Sequence, residues 1–205
     1  IRDRQANMAQ HVISSTNYRL TINSRGAELS GLYWKNDNHN WIWSGESWKR
    51  HAPILFPIVG RLKNDHYTIN PKNYELSQHG FARDMDFAVI ESSETAITFK
   101  LSSSAETLEK YPYSFDLLVK YEVSSDDIKV TFTVHSKEEI YFSLGWHPGF
   151  SFPNQKDLMG ELKVAWEKQD TAYNLLNNEG LITQQEFKQQ SCLLYTSDAA
   201  DEGLG

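Results

Sequence analysis

The 205-residue sequence predicts an all-β fold of the antiparallel β-sandwich type. Many short segments alternate apolar and polar residues with a period of two, which is typical of half-buried strands. Polar turn sequences separate these segments, and helical periodicity is limited to a single turn over residues 105–110. Because 40% of the residues are hydrophobic, a chain of this length can bury the core of one sandwich domain.

Hairpins are the clearest predicted elements. Residues 115–123 alternate, Ser124 to Asp127 form a polar turn, and residues 128–134 alternate back, which predicts a long antiparallel pair. Further strands are predicted over residues 18–22, 28–34, 41–43, 67–69, 74–76, 87–91, 97–101, 140–144 and 162–166. Many short strands without internal repeats indicate a sandwich.

The two ends of the sequence depart from this pattern. The alternation begins only after Met8, so residues 1–7 are expected to be leader or cloning-derived sequence. Residues 191–205 break the preceding rhythm and are expected to be a non-native tail. The sequence therefore predicts one truncated domain over residues 8–190.

Composition argues against several classes of function. The net charge of −7 argues against a nucleic-acid partner, since a phosphate backbone requires a basic face. One cysteine, Cys192, cannot form an internal disulfide. No apolar run reaches membrane-spanning length, and residues 1–5 lack the apolar core of a signal peptide. We therefore expect a soluble cytoplasmic protein without a membrane partner; its oligomeric state is not predicted.

Residues 144–150 contain the histidine that is best placed for chemistry. His147 lies between Trp146 and Pro148, with a glycine two residues away on either side, so its backbone is stiffly framed. A held imidazole beside an aromatic ring can give a proton to a bound molecule. A turn histidine that hydrogen-bonds only its own loop is the alternative.

Residues 51–64 form a second window that breaks the strand rhythm. Its prolines exclude a central strand, so the segment is expected at an edge or crossover that presents Arg61 after Gly60. A guanidinium can clamp two oxygens of a ligand at once. An arginine that is merely solvated is the alternative.

Residues 78–84 are the third window. They offer the amide of Gln78, the imidazole of His79, the guanidinium of Arg83 and the carboxylate of Asp84 within seven positions. The last two side chains can also form a surface ion pair without further function.

Other site signatures are not found in the sequence. The histidines have no metal-ligand spacing, no glycine-rich phosphate loop follows a strand, and no Gly-x-Ser-x-Gly elbow occurs. These observations disfavour metal, nucleotide and serine-hydrolase chemistry.

Taken together and in this order on an all-β pattern, residues 52–63, 78–84 and 144–150 resemble the aldose 1-epimerase (galactose mutarotase-like) family, most closely its LacX-like branch. The resemblance covers residues 18–153. It implies a large β-sandwich, the supersandwich, which would here be incomplete at the C-terminus. It also implies a reaction that interconverts the α and β anomers of a free hexose.

The resemblance implies roles for individual residues. His147 would be the general acid on the ring oxygen, while His79 and Arg61 would hold the sugar near that oxygen. Trp146 is expected among the binding residues, since an aromatic ring suits the apolar C–H face of a sugar. The reaction requires no cofactor, because no electrons or groups leave the sugar.

The family's base is a glutamate late in the domain. No glutamate in that part of this sequence stands in a matching motif, and those considered are Glu161, Glu167, Glu179, Glu186 and Glu202. The chain is therefore expected to lack its base and to be inactive by itself.

Two alternatives to a free-hexose epimerase stay open. Residues 78–83 also resemble the motif of hexose-6-phosphate mutarotases, in which Gln78 and Arg83 would contact the phosphosugar and Lys49 or Arg50 would add charge. The second alternative is a non-catalytic carbohydrate-binding or sensor protein on the same fold, because a fold does not fix a function.

Overall fold

A computed structural model describes residues 9–151 and 172–188. It contains thirteen strands in the described ranges and one α-helix, α1 (Ala105–Lys110). The strands are β1 (Gln10–Ser14), β2 (Tyr18–Asn23), β3 (Glu28–Trp34), β4 (Ile54–Leu55), β5 (His66–Ile69), β6 (Lys72–Glu75), β7 (Ala88–Ser92), β8 (Ala96–Ser102), β9 (Asp116–Val123), β10 (Ile128–His135), β11 (Gly145–Trp146), β12 (Ala172–Leu176) and β13 (Ile182–Lys188).

Two antiparallel sheets contain most of the strand residues in the described ranges. One has the strand order β1-β2-β3, and the other has the order β10-β9-β8-β7. The long β9–β10 hairpin is paired without a break from Val123 opposite Ile128 to Asp116 opposite His135. Smaller two-stranded units are β4 with β11, β5 with β6, and β12 with β13.

The core lies between the two large sheets. Every second residue of β9 is buried, as alternation along a strand requires when one face is covered. One of them, the fully buried Tyr121, donates its hydroxyl proton to the carbonyl of Ala27 at 2.7 Å and so connects the sheets. The same core contains buried residues of β2, β3 and β8, namely Leu20, Ile22, Leu29, Ile97 and Phe99.

The all-β prediction is confirmed, and several elements match closely. The strand predicted over 28–34 and the helical turn predicted over 105–110 have the observed bounds. The helix begins at a capping box in which Ser104 and Thr107 each accept the other's backbone N–H. The predicted 115–134 hairpin corresponds to β9–β10, and the strands predicted over 67–69, 74–76, 87–91 and 97–101 pair as the hairpins β5–β6 and β7–β8.

Two predicted strands, 41–43 and 140–144, are wrong. Ile42 makes only an isolated bridge to Phe150, because the neighbouring amide of Trp41 bonds back to Leu32. Near the histidine, the Ser143 amide donates to the Pro57 carbonyl at 2.9 Å, but a strand forms only at Gly145, where the chain pairs with β4. The predicted strand 162–166 and the predicted ends, 1–7 and 191–205, lie outside the described residues. No helix in the described ranges has the length and apolarity needed to span a bilayer.

Candidate functional site

Strand β4 and the residue after it bring the three predicted windows together. On one side β4 pairs with β11, where Gly145 lies opposite Leu55. On the other side the carbonyl of Phe56 accepts hydrogen bonds from the amides of Phe81 at 3.1 Å and Ala82 at 3.2 Å. Segments that are far apart in sequence therefore meet at one buried strand.

The approach of the third window, residues 78–84, to β4 depends on Gly80. This residue has φ = +69°, a conformation that L side chains rarely adopt. A Cβ atom here would overlap the carbonyl of Phe56 and lie 2.8 Å from Cδ of Pro57. Only glycine permits this close contact between the two backbones.

His79, directly before that glycine, is held by Gly60. The His79 amide donates to the Gly60 carbonyl at 2.8 Å, and the Gly60 amide donates to His79 Nδ1 at 3.0 Å. Since Nδ1 accepts this hydrogen bond, the neutral ring carries its proton on Nε2. His79 is thereby prepared to donate a hydrogen bond from Nε2.

His147 lies beside His79, as the resemblance implies. Its amide donates to the Pro53 carbonyl at 3.1 Å, which extends the pairing of β4 and β11 by one residue. The half-buried imidazole of His147 has its centre 6.5 Å from that of His79, with 40° between the ring planes. It also contacts the indole of Trp48, with ring centres 5.5 Å apart.

The indole of Trp146 packs elsewhere. Its Nε1–H donates to the Ala52 carbonyl at 3.2 Å, and its ring lies 6.3 Å from that of Phe132 at the edge of the core. Side chains of consecutive extended residues lie on opposite faces, which separates this indole from the imidazole of His147. The role of Trp146 in sugar binding stays a prediction.

Arg61 follows the glycine that holds His79, but its guanidinium contacts Asp65. Arg61 Nε donates to Asp65 Oδ1 at 3.0 Å and Arg61 Nη2 donates to Asp65 Oδ2 at 3.2 Å, which makes a bidentate salt bridge at the surface. The hydrogen bond from Arg61 lowers the pKa of Asp65, and the same contact raises the pKa of Arg61. The side chain is thus already arranged to clamp two oxygens.

Gln78 and Arg83 are also linked, together with a second arginine. Arg83 Nη2 donates to the carbonyl of Gln78 at 2.7 Å, while its buried Nε lies 3.8 Å from Oδ2 of Asp84, too far for a hydrogen bond. Arg50 Nη2 lies 3.0 Å from the same carboxylate. Burial, and then the charge of Arg50, lower the pKa of Arg83.

Sequence reasoning did not find Trp48 or Glu28. Trp48 lies in a segment without strand periodicity, and only the glycine at position 149, which admits its ring, hints at it. Glu28 begins β3 and accepts the amides of His51 at 2.8 Å and Ala52 at 3.1 Å. A contact across 23 residues leaves no local signal.

Comparison with known proteins gives the family of this chain. The sequence model described as aldose 1-epimerase matches residues 9–200. The chain belongs to the aldose 1-epimerase family. The resemblance drawn from the three windows is therefore confirmed.

Individual relatives refine this assignment toward the LacX-like branch. The chain is 32% identical over 153 residues to the chromosomal protein LacX of Lactococcus lactis subsp. lactis, an alignment that covers 69% of this chain and 51% of LacX. The chain spans about half the length of the curated relatives that it matches.

Solved structures confirm the galactose mutarotase-like fold. A galactose mutarotase related enzyme from Lactobacillus acidophilus is 38% identical, with a TM-score of 0.70 and coverage of 75% of this chain and 52% of that one. A galactose mutarotase-like protein from Lactobacillus casei is 40% identical, with a TM-score of 0.69 and coverage of 73% and 52%. The all-β sandwich of this chain is thus shared with this family.

Proposed function

We propose that the protein is an aldose 1-epimerase that interconverts the α and β anomers of a free hexose, with His147 as general acid. The proposal concerns the whole protein, since the chain spans about half of its curated relatives. The observation that carries it is the pairing of His147 with His79 in one half-buried site.

The spacing of the two imidazoles suits a single sugar oxygen. A hydrogen bond places an oxygen about 2.8 Å from a ring nitrogen, and therefore about 4 Å from the ring centre. Two ring centres that are 6.5 Å apart leave both nitrogens within reach of one oxygen. Nε2–H of His79 suits a hydrogen bond to that oxygen, because Nδ1 accepts the amide of Gly60.

In the proposed reaction, a base removes the proton of the anomeric hydroxyl and the C1 carbonyl forms. The bond between C1 and the ring oxygen breaks, and protonated His147 gives its proton to that oxygen. Rotation about the C1–C2 bond and the reverse proton transfers close the ring on the other face. The guanidinium of Arg61 would bind sugar hydroxyls through the same N–H groups that donate to Asp65 in this structure. The base is not assigned to any residue of this chain.

Polarimetry of freshly dissolved α-glucose and α-galactose tests the proposal. In a protein that spans the full length of the relatives we expect clear acceleration of mutarotation, which His147→Gln lowers by about 100-fold or more. The control His135→Gln, at the exposed end of β10, should leave the rate unchanged. For the 205-residue chain we expect hexose binding with little acceleration.

Two outcomes of this test would redirect the function. A full-length protein that binds hexoses but accelerates no aldose and no aldose 6-phosphate would be a carbohydrate-binding or sensor protein. A full-length protein in which His147→Gln has the wild-type rate would need another acid.

The arginine pair favours a second candidate, a hexose-6-phosphate mutarotase. Arg50 and Arg83 share the single carboxylate of Asp84, so the cluster carries a surplus positive charge next to Gln78. A phosphate would supply the missing anionic oxygens. Glucose 6-phosphate should then bind more tightly than glucose, and Arg83→Gln should abolish the difference. Equal affinities for the two sugars would favour the neutral substrate.

A further inference from the structure

We infer that Trp48 is a positioning residue, whose indole fixes the imidazole of His147 in the orientation that faces His79. Its catalytic meaning rests on the proposed function. The structural part of the inference is that the contact with Trp48 selects one orientation of His147, and it can be tested without measuring catalysis.

The contact itself is an edge-to-face pair. The ring centres of Trp48 and His147 lie 5.5 Å apart, and their planes are 72° apart. Aromatic rings favour this arrangement at separations of about 4.5–7 Å. The indole therefore limits the rotation of the imidazole, whose backbone is already tied to Pro53.

Gly149 gives independent support for a fixed indole. A Cβ atom at this position would lie 2.8 Å from Cζ3 and 3.4 Å from Cε3 of Trp48, and 3.0 Å from Cβ of Trp43. The six-membered ring of Trp48 thus rests on the backbone two residues after His147. Glycine at 149 leaves the space that the indole needs.

Hydrogen bonds fasten the segment that carries Trp48. The carbonyl of Trp48 accepts the indole N–H of Trp43 at 3.0 Å, and the Trp43 amide donates to the Gly149 carbonyl at 2.9 Å. His51 donates its Nδ1 proton to the Trp43 carbonyl at 2.7 Å. The loop that carries the indole and the segment that carries His147 are therefore joined directly.

Glu28 connects this assembly to the large sheet. Its Oε1 accepts the amides of His51 at 2.8 Å and Ala52 at 3.1 Å, immediately after the loop. Because β3 is part of the sandwich, the C-terminal end of the loop that carries the indole is anchored to a rigid element, and such support favours precise orientation of a reacting group. His79 is fixed separately by Gly60, so both imidazoles have supports of their own.

The test measures the side-chain rotamer of His147 in the 205-residue chain by three-bond couplings from the backbone to the ring carbon. In the wild type and in Trp48→Phe, which keeps a ring, we expect one staggered rotamer. In Trp48→Ala the imidazole should populate at least two rotamers, while the His147 amide stays protected from exchange. Trp34→Ala, which removes an exposed indole from β3, is the matched control and should change nothing.

Gly149→Ala is the second variant, because it displaces the indole without removing it and should also release His147. A single His147 rotamer in folded Trp48→Ala, or in Gly149→Ala if the former does not fold, overturns the inference. Hexose affinity tests the consequence for binding: in Trp48→Ala the dissociation constant should rise by about tenfold, because a released imidazole must be ordered when the sugar binds. A wild type that binds no hexose contradicts the proposed function, whereas the rotamers in sugar-free protein still decide the role of Trp48.

Discussion

Gly60 and His79 hold each other by two hydrogen bonds, one between their backbones and one from the Gly60 amide to His79 Nδ1. The second bond makes Nδ1 an acceptor, so the neutral ring of His79 should be the Nε2–H tautomer. His51 gives the opposite expectation, because its Nδ1 lies 2.7 Å from the Trp43 carbonyl, which can only accept.

Nitrogen chemical shifts of the two imidazoles above neutral pH check this prediction. The Nδ1 signal of His79 should be that of an unprotonated ring nitrogen, whereas the Nδ1 signal of His51 should be that of a protonated one. The same tautomer in both residues would contradict the hydrogen bonding around Gly60.

Gly80 should tolerate alanine much less well than Gly60. Both have positive φ, +69° and +82°, but only the Cβ at position 80 meets other atoms, the backbone of Phe56 and the ring of Pro57. Gly60→Ala should lower the free energy of unfolding by about 1–2 kcal/mol, through backbone strain alone. Gly80→Ala should lower it by about 3 kcal/mol or more, because overlap is added to strain. Urea unfolding monitored by tryptophan fluorescence measures both; equal losses would refute the close contact with Phe56.

Strand patterns predicted the fold because burial is one-sided along most strands. The alternating residues of β9 are visible without any tertiary information, and the turn at 124–127 fixes the hairpin register. The failures occur where pairing is not local. Residues 41–43 alternate like a strand, yet their partners lie near residue 149, and the geometry there allows a single bridge.

The candidate site, like the fold, could be predicted from the sequence only in part. His79 and His147 were predicted to meet, because the resemblance places both near one sugar oxygen. The contacts of Trp48 and Glu28 were not predictable, since both residues act on segments that are distant in sequence. The packing of the Trp146 indole against Phe132 depends on which face of β11 covers the core, and two residues are too few to reveal a period.

Phe56 should contribute strongly to stability as well as to the site. Its side chain is fully buried, and its ring centre lies 5.0 Å from that of Phe115 and 6.4 Å from that of Phe81. Phe56→Ala should lower the free energy of unfolding by about 3–5 kcal/mol, because a cavity is left in the core. The neighbouring Phe142, which is 44% exposed, is the control, and Phe142→Ala should lower it by about 1 kcal/mol. Similar losses in chemical denaturation would place Phe56 outside the core.

Because of Asp116 in β9, we expect the stability of the four-stranded sheet to fall at acidic pH. Hydrogen bonds from Lys100 Nζ at 2.7 Å and from Ser102 Oγ at 2.6 Å lower the pKa of Asp116. Since the folded pKa is below the unfolded value of about 4, the stabilisation is fully present above that value and is lost as pH falls through the folded pKa. The pair is partly exposed, so its contribution is at most about 1 kcal/mol.

Carbon-detected titration of the Asp116 carboxyl group checks this expectation. Lys100→Met should raise its pKa, because the hydrogen bond that favours the charged form is lost. Lys120→Met removes the same charge from a lysine that contacts Glu122 instead, and should leave Asp116 nearly unchanged. Equal shifts in both variants would assign the effect to net charge and not to the contact.

The most direct test of the proposed site follows the histidine ring signals of the 205-residue chain during titration with glucose and galactose. We predict that the signals of His147 and His79 shift together and saturate with the same dissociation constant, while that of His135 at the exposed end of β10 stays in place. If saturating hexose leaves the signals of His147 and His79 unchanged, the two imidazoles do not form a sugar site, and His147 is not the acid.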